Sequence, residues 1–457
     1  MAATVTAPSA THNEARQAAQ DYLNQRLASG ASAKPARPFT VPEINIANSF
    51  SDDVNARKTV AAKIHDACTN SGFFHLTGHG VSEETRQKII NAAKRFTKDL
   101  PRSSKEALHV KHSKYFRGWE PADYTYVNPG DWSAETAAPE TKEGFNWGYE
   151  PGLDPTGGDG QYRELDGEDV NGNVWPKKED LPGFYADVKE YYGQILQLAR
   201  HLFRLFALSL DLPEEYFDDM MTHPGGISRL LYYPASKDPK PLNPNEPDKE
   251  IGLGAHSDYE CFTILLCSTA SGLEILSPEN IWVPAPAVEG SFIINVADFL
   301  MRWTNGVYIS TVHRVVNRTT HERYSVPFFF NINYDQTVET LPSCVTPERP
   351  SQYPPVKAGE YILERLKAVP KMVRYWALYH TLDLEISHWI FALRNLFESL
   401  YTVQPTRDTV SPKNLSRMCD APLGDPCLHI GDGAACSVEY VLRYWCRLVL
   451  TAVEVLL

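Results

Sequence analysis

The sequence is poor in the features that mark secreted, membrane and nucleic-acid-binding proteins. Its eight cysteines form no CxxC pair and are too few for a disulfide scaffold, which favours a reducing compartment. The N-terminus lacks the basic start and apolar core of a secretory signal, and no run approaches the roughly 18 apolar residues of a membrane span. The formal net charge of -13 argues against nucleic acid or anionic membranes as partners. We therefore expect a cytoplasmic protein that binds neither nucleic acid nor membranes.

The strongest chemical signal lies between residues 252 and 330. His256 and Asp258 are two residues apart in a strand-like run, so both side chains point from the same face. His313 follows 55 residues after Asp258, and a folded sheet could bring it alongside them. Two imidazoles and one carboxylate converging from one side form a 2-His-1-carboxylate facial triad, which suits Fe(II) and leaves coordination positions open. The pattern therefore predicts an iron site.

A second signal follows shortly after the predicted iron site. Arg323 and Ser325 are again two residues apart in a strand-like run. A guanidinium with a hydroxyl beside it can clamp a carboxylate. Together with the triad, this pair predicts a seat for a co-substrate that bears a carboxylate.

The pattern of apolar residues divides the middle of the chain into helical and β-rich parts. From about Ile227, eight short β-rich runs separated by turns favour a closed double sheet, a jelly roll or similar barrel. An amphipathic helix over 181–210 is long enough to back this sheet. Shorter helices are predicted from Asp53 to Cys68, from Ser82 to Phe96 with Ser82 as N-cap, and from Glu360 to Lys367. The predicted fold class is α+β with a mainly β core and an N-terminal α/β segment.

We expect four parts along the chain. They are a flexible arm over 1–38, an N-terminal domain with a long lid or insert loop over 39–182, a jelly-roll core with its backing helix over 183–368, and a tail of uncertain structure over 369–457. Within the second part, residues 150–169 are rich in Gly, Asp and Pro and are predicted to build no core. His223 and His321 are predicted to be exposed loop residues.

Several motifs, in the same order and spacing, resemble a known family. They are VPEINI with ACTNSGFFHLTGHGV near the N-terminus, then SRLLYYP, AHSDYECFTILL, GLEIL, STVHRVV and ERYSVPFFF. Over about residues 38–368 the chain resembles the 2-oxoglutarate/Fe(II)-dependent oxygenases of the isopenicillin N synthase-like superfamily, of the fungal and plant type. This resemblance implies the double-stranded β-helix form of the jelly roll.

The resemblance also assigns roles to individual residues. It makes His256, Asp258 and His313 the iron ligands. Arg323 and Ser325 match the pair that binds the distal carboxylate of 2-oxoglutarate. Tyr233 matches a tyrosine that also reaches this co-substrate, although Leu231 stands where the family often has asparagine.

The resemblance implies an oxygenase that uses Fe(II), 2-oxoglutarate and O2 to hydroxylate or desaturate a small organic metabolite, with release of succinate and CO2. A role in secondary metabolism and a monomeric or weakly oligomeric state are expected. Two alternatives stay open: an oxidase of the same fold that uses no 2-oxoglutarate, as in isopenicillin N formation, and a non-catalytic jelly-roll binding module. The substrate is unknown, and candidates to line its pocket are Trp147, Tyr149 and Phe330.

Overall fold

The computed structural model describes residues 39–122, 124, 140–169, 172–242, 251–268 and 272–367. Contacts divide the chain into two units, 1–382 and 383–457, and all described residues belong to the first. The predicted arm over 1–38 and the predicted tail over 369–457 lie outside the described residues.

The described residues contain six helices: α1 (Val54–Asn70), α2 (Glu83–Lys98), α3 (Arg102–Ala107), α4 (Phe184–Ser209), α5 (Asp298–Trp303) and α6 (Ala358–Lys367). Helices α1, α2, α4 and α6 fall close to their predicted positions. Helix α3 only overlaps a helical turn expected from Lys105 to Ser113, and α5 was not predicted. The Ser82 hydroxyl accepts a hydrogen bond from the backbone N–H of Thr85, so the predicted N-cap of α2 is confirmed. No helix in the described part of the chain combines the length and the apolar character needed to cross a membrane.

Fourteen strands in the described residues form two large sheets and one small ladder. They are β1 (Glu43–Asn45), β2 (Phe73–Thr77), β3 (Gly118–Glu120), β4 (Glu143–Gly148), β5 (Gly226–Tyr233), β6 (Leu253–His256), β7 (Phe262–Cys267), β8 (Leu273–Leu276), β9 (Trp282–Pro284), β10 (Phe292–Val296), β11 (His313–Val315), β12 (Arg323–Phe330), β13 (Thr337–Val338) and β14 (Val356–Lys357). All eight predicted β-rich runs are strands, β5 to β12.

Strands from the N-terminal and C-terminal parts of the described chain belong to the same sheet. The larger sheet runs β1-β2-β10-β7-β12-β5-β4-β3, and the smaller sheet runs β6-β11-β8-β9. The larger sheet therefore combines strands from both sides of residue 182. With the helices, these sheets give a mixed α+β architecture.

Helix α4 contributes its apolar side to the main hydrophobic cluster. Its Phe203 is fully buried, and the Phe203 ring lies 5.4 Å from the ring of Phe262 on β7 and 5.7 Å from that of Phe330 on β12, measured between ring centres. Aromatic pairs at such distances add to the stabilisation that burial provides. This packing ties α4 to two central strands.

We expect Phe203→Ala to lower the free energy of unfolding by about 3–5 kcal/mol, because the surrounding side chains can only partly refill the space of a buried ring. Chemical denaturation followed by circular dichroism measures this change. Lys189→Ala, on the exposed side of α4, is the matched control and should change the unfolding free energy by less than about 0.5 kcal/mol. An equal effect of the two substitutions would contradict the packing described for α4.

Two expectations about irregular segments are wrong. Within 150–169, Leu153 and Tyr162 join the main hydrophobic cluster, and Leu165 shares a smaller cluster with Ile362 of α6. Periodicity does not detect such residues, because no regular element sets their spacing.

His223 is also not an exposed loop residue. It is only 5% exposed, with Nδ1 2.8 Å from a carboxylate oxygen of Asp159 and Nε2 3.1 Å from one of Asp335. Carboxylates from two distant segments bury this imidazole, and a local sequence pattern does not reveal such partners. His321 is exposed, as predicted.

Candidate metal centre

Strand pairing in the smaller sheet brings the two predicted histidines together. His256 ends β6, His313 begins β11, and the two residues are direct cross-strand partners. Asp258 follows β6 by two residues, with its Oδ1 3.5 Å from Nε2 of His256 and 3.6 Å from Nε2 of His313. One ligand atom from each of the three residues lies within 4.8 Å of the others. The sequence-predicted triad therefore converges on one point.

Backbone carbonyls fix the orientation of both imidazoles. Nδ1 of His256 lies 2.7 Å from the carbonyl oxygen of Gly254, and Nδ1 of His313 lies 3.1 Å from that of Thr311. A carbonyl only accepts, so in each neutral ring Nδ1–H donates and Nε2 keeps its lone pair. Both lone pairs are thus available on the nitrogens that face Asp258.

The larger sheet holds the carboxylate of Asp258 from the opposite side. Its Oδ2 accepts a 2.5 Å hydrogen bond from the Thr263 hydroxyl and a 2.7 Å hydrogen bond from the Asn295 amide. Thr263 and Asn295 are cross-strand partners on β7 and β10. Because Oδ2 is occupied, Oδ1 is left facing the histidines. Such outer contacts commonly orient the ligands of metal sites.

The charges of the triad favour binding of a cation. Burial, followed by the neighbouring imidazole of His256, lowers the pKa of His313 to about 4, so this imidazole is neutral at physiological pH. Burial opposes ionisation of Asp258, but the nearby histidines and its hydrogen bonds outweigh burial and hold its pKa below the usual range. Burial also opposes protonation of His256, but the contact with Asp258 outweighs it and raises the pKa of His256. A cation that replaces the proton between His256 and Asp258 would meet two nitrogen donors and one oxygen donor.

The predicted carboxylate clamp lies on the larger sheet. Arg323 pairs with Tyr233 across β12 and β5, and Ser325 lies two residues along β12 on the same face. All three are about 1% exposed, and Cζ of Arg323 lies 4.7 Å from the centre of the Tyr233 ring. Arg323 donates from Nη1 to the Ser325 hydroxyl over 3.2 Å and from Nη2 to Cys267 Sγ over 3.3 Å. The three predicted residues are therefore brought together.

The guanidinium of Arg323 is buried, and the described residues supply no counter-charge for it. Among the described residues, no carboxylate pairs with it, and its Nε has no hydrogen-bond partner. A buried unpaired charge costs several kcal/mol, and a guanidinium fork matches the geometry of a carboxylate. The clamp therefore fits a ligand that brings a carboxylate, and the nitrogen and oxygen donors of the triad suit Fe(II).

One cavity of about 190 Å³ connects the two sites, since the triad, Arg323, Ser325 and Tyr233 all line it. The other three predicted candidates lie elsewhere. Trp147, Tyr149 and Phe330 pack in the main hydrophobic cluster and are not among the residues that line this cavity. Their chain neighbours Asn146 and Phe329 line it instead.

Sequence reasoning missed a group of polar residues in the cavity wall. Glu120 on β3, Asn146 on β4, Arg229 on β5 and Lys142 just before β4 all line the cavity. One signal could have found Arg229, because it lies four residues before Tyr233 in a run of period two and so shares its face. Glu120, Asn146 and Lys142 could not be found in this way, because no sequence motif predicts the pairing of β3 and β4.

Comparisons with known proteins identify the family to which the chain belongs. The 2OG-Fe(II) oxygenase superfamily matches residues 224–332, and the family described as non-haem dioxygenase in morphine synthesis N-terminal matches residues 41–178. A 2-oxoglutarate-Fe(II) type oxidoreductase of Metarhizium majus, ppzC, is 33% identical over 363 residues, which are 76% of this chain and 95% of that protein. Another of Emericella nidulans, hxnY, is 32% identical over 332 residues, 71% of this chain and 89% of that protein.

The fold is also shared with a solved structure. A full-length Neurospora crassa protein in complex with alpha-KG and thymine is 26% identical, with a TM-score of 0.62, over 74% of this chain and 99% of the Neurospora chain. The predicted resemblance is thus confirmed from sequence and from structure. The chain belongs to the 2OG-Fe(II) oxygenase superfamily and is a 2-oxoglutarate- and Fe(II)-dependent dioxygenase.

Proposed function

We propose that His256, Asp258 and His313 hold the Fe(II), and that Arg323, with Ser325 and Tyr233, holds the distal carboxylate of 2-oxoglutarate. The observation that carries this proposal is the buried guanidinium of Arg323, which lies in the same cavity as the triad and has no carboxylate partner among the described residues. A dicarboxylic co-substrate supplies the charge that the guanidinium lacks. The reaction is the hydroxylation or desaturation of a small organic molecule in secondary metabolism.

The protein binds and orients the metal and the co-substrate, and it excludes water from the cavity. Bound Fe(II), with 2-oxoglutarate and O2, supplies an oxidant that removes hydrogen from a C–H bond, with release of succinate and CO2. His256 and His313 present their Nε2 lone pairs, while Thr263 and Asn295 fix the rotation of the Asp258 carboxylate. Apolar side chains line the same cavity and keep it poor in water: Leu231, Leu253, Leu265, Leu273 and Val315.

Succinate formation tests this function against the alternatives. Purified protein with Fe(II), 2-oxoglutarate and O2 is offered a library of small metabolites, and succinate is measured with and without each compound. We expect at least one compound to stimulate succinate release. Substrate turnover with Fe(II) and O2 but without 2-oxoglutarate would instead support the oxidase. Absence of Fe(II) binding, together with a His313→Ala variant that behaves like the wild type, would support the binding module.

We also propose that the two large sheets form a double-stranded β-helix, with α4 behind the larger sheet. Support comes from Asp258, which contacts histidines of the smaller sheet on one side and strands of the larger sheet on the other. The contacts of Phe203 with β7 and β12 support the place of α4. In this division, 39–182 is the N-terminal domain and 183–368 is the core.

A cytoplasmic location and a monomeric or weakly oligomeric state stay predictions. Cys68, Cys261, Cys267 and Cys344, the cysteines among the described residues, are free thiols, which supports a reducing compartment. Size-exclusion chromatography with light scattering measures the oligomeric state.

Asn295→Ala should weaken metal binding although Asn295 is not a proposed ligand. Its amide holds Oδ2 of Asp258, and loss of such an outer contact typically lowers metal affinity by about 10–100-fold. Anaerobic calorimetric titration with Fe(II) measures the affinity. Asn91→Ala, on the exposed surface of α2, should leave it unchanged. Equal affinities of the two variants would contradict the orienting role of Asn295.

A further inference from the structure

A buried carboxylate that belongs neither to the triad nor to the clamp lines the cavity. Glu260 is 4% exposed and is among the residues that line the cavity. It follows Asp258 by two residues, so the Cα atoms of the two residues are at most about 7 Å apart. A glutamate is rarely buried to this extent unless a partner compensates its charge. The partners of Glu260 therefore indicate what it can bind.

Two hydrogen-bond donors point at the carboxylate oxygens of Glu260. The Tyr334 hydroxyl accepts from the backbone N–H of Gly226 over 2.9 Å, so its own proton is available to Oε1 of Glu260, 2.9 Å away. The amide nitrogen of Asn331 donates to Oε2, and the Asn331 oxygen accepts from the backbone N–H of Ile332, which fixes the orientation of this amide. Both oxygens of Glu260 thus accept hydrogen bonds, and this arrangement favours the ionised carboxylate.

No cationic side chain in the described part of the chain forms an ion pair with Glu260. The charge of Arg117 reaches Glu260, but the Arg117 guanidinium pairs over 3.3 Å with Glu164, which is also buried. None of the cationic side chains that line the cavity has Glu260 as a partner: Lys142, Arg229 and Arg323. A buried carboxylate with hydrogen-bond donors but no cationic partner favours a positively charged ligand.

The proposed metal and co-substrate do not supply this missing charge. Bound Fe(II) is positive, but Asp258 and the carboxylate of 2-oxoglutarate that Arg323 does not hold bring negative charges of their own to the metal. Glu260 is therefore left for the substrate.

The surroundings of Glu260 border the cavity. Its partner Tyr334 packs in one apolar cluster with Ile362, Tyr259 and Leu366, and these three residues all line the cavity. A carboxylate has about four lone-pair sites, so the two hydrogen bonds made to Glu260 leave room for further donors. An ion pair formed in such apolar surroundings is stronger than one formed in water.

We propose that Glu260 forms a subsite for a positively charged nitrogen of the substrate, as in a protonated amine. This subsite names the substrate class of the proposed function and rests on it. The N–H groups of the ammonium donate to the carboxylate, and the two charges compensate each other in the cavity. Because Glu260 and Asp258 are two residues apart, this contact holds the carbon atoms near the nitrogen close to the triad. Glu260 is therefore a specificity-determining residue.

Glu260→Gln removes the charge and keeps the length of the side chain. Its amide oxygen still accepts one of the hydrogen bonds now made to the carboxylate, whereas its NH2 group offers no lone pair to an ammonium. Glu179→Gln, the same change at an exposed position, is the matched control. The thermal transition should show that both variants are folded.

Binding is measured by anaerobic calorimetry on the protein loaded with Fe(II) and saturating 2-oxoglutarate. The probes are two matched pairs, benzylammonium with benzyl alcohol and cyclohexylammonium with cyclohexanol, and benzoate as an anion. We expect at least one ammonium probe to bind about tenfold more tightly than its alcohol and than benzoate, as expected for a charge-assisted hydrogen bond. Glu260→Gln should remove this preference without weakening the binding of the alcohols or of 2-oxoglutarate. Glu179→Gln should change none of these affinities.

The subsite is overturned if neither ammonium probe binds more tightly than its alcohol, or if benzoate binds more tightly than both ammonium probes. It is also overturned if Glu260→Gln keeps the preference, because the ammonium group would then bind elsewhere. Should Glu260→Gln not fold, the comparison of charged and neutral probes on the wild type decides.

Failure of the wild type to bind Fe(II) or 2-oxoglutarate would instead overturn the proposed function, and the subsite with it. The two failures are distinguishable because the affinities for 2-oxoglutarate and for the probes are measured on the same samples.

Discussion

Asp258→Asn is expected to abolish turnover and to lower Fe(II) affinity by more than about 100-fold, even though the two side chains have nearly the same shape. Thr263 and Asn295 both donate to one oxygen of Asp258. In the variant they would hold the amide oxygen, which leaves the amide NH2 pointing at the histidines. A donor at this position offers no lone pair to a cation. The loss should exceed the roughly 10–100-fold typical of an outer contact.

Anaerobic titration with Fe(II) and succinate release measure the two effects of Asp258→Asn. Asp219→Asn, an exposed change of the same chemistry, should leave both unchanged. The thermal transition should show that Asp258→Asn is folded. Metal affinity within threefold of the wild type, in a folded variant, would mean that Asp258 is not a ligand.

Arg323→Met is expected to have opposite effects on binding and on stability. Without co-substrate the buried guanidinium has no carboxylate partner in the part of the chain that the structure describes, so replacing it by an apolar side chain of similar length should raise the free energy of unfolding by about 1–4 kcal/mol. The same change removes a charge-assisted fork for the carboxylate. We expect 2-oxoglutarate affinity to fall by at least about 100-fold, or about 3 kcal/mol, since 1.4 kcal/mol is tenfold.

Chemical denaturation of the metal-free protein and calorimetry with 2-oxoglutarate give both quantities for Arg323→Met. Arg204→Met removes a partly exposed arginine of α4 that pairs with Asp218, and should change the unfolding free energy by less than about 1 kcal/mol and 2-oxoglutarate affinity not at all. A strongly destabilised Arg323→Met variant with normal 2-oxoglutarate affinity would make Arg323 a structural residue and contradict the clamp.

The elements that position the centre were predictable because they carry regular patterns. Strands β5 to β12 are short β-rich runs between turns, and Ser82 is a standard N-cap before an amphipathic helix. His256 and Asp258 are two residues apart, so their proximity follows from the sequence, but β6 ends at His256 and the alternation of a strand does not set the direction of Asp258. His313 is distant, and its place opposite His256 required the β6–β11 register that only the fold supplies.

The residues of the cavity wall were less predictable. The sequence of a strand does not show which of its two faces points into the cavity until its partner strands are known. In β4 both Asn146 and Trp147 are buried, but only Asn146 lines the cavity. In β12 the same one-residue difference separates Phe329 from Phe330. A shift by one residue moves a side chain to the other face, so candidates chosen by aromatic character fell on the core side. The spacing from Tyr233 could have placed Arg229 on this face, but its pairing with Asn146 became visible only through the β4–β5 ladder.

The most direct measurement is a crystal structure of the protein grown anaerobically with Fe(II) and 2-oxoglutarate, with anomalous data collected at the iron edge. The account predicts one iron peak in contact with Nε2 of His256, Oδ1 of Asp258 and Nε2 of His313, and a carboxylate of 2-oxoglutarate on Arg323 and Ser325. An iron peak held by other residues, or 2-oxoglutarate bound away from Arg323, would contradict it.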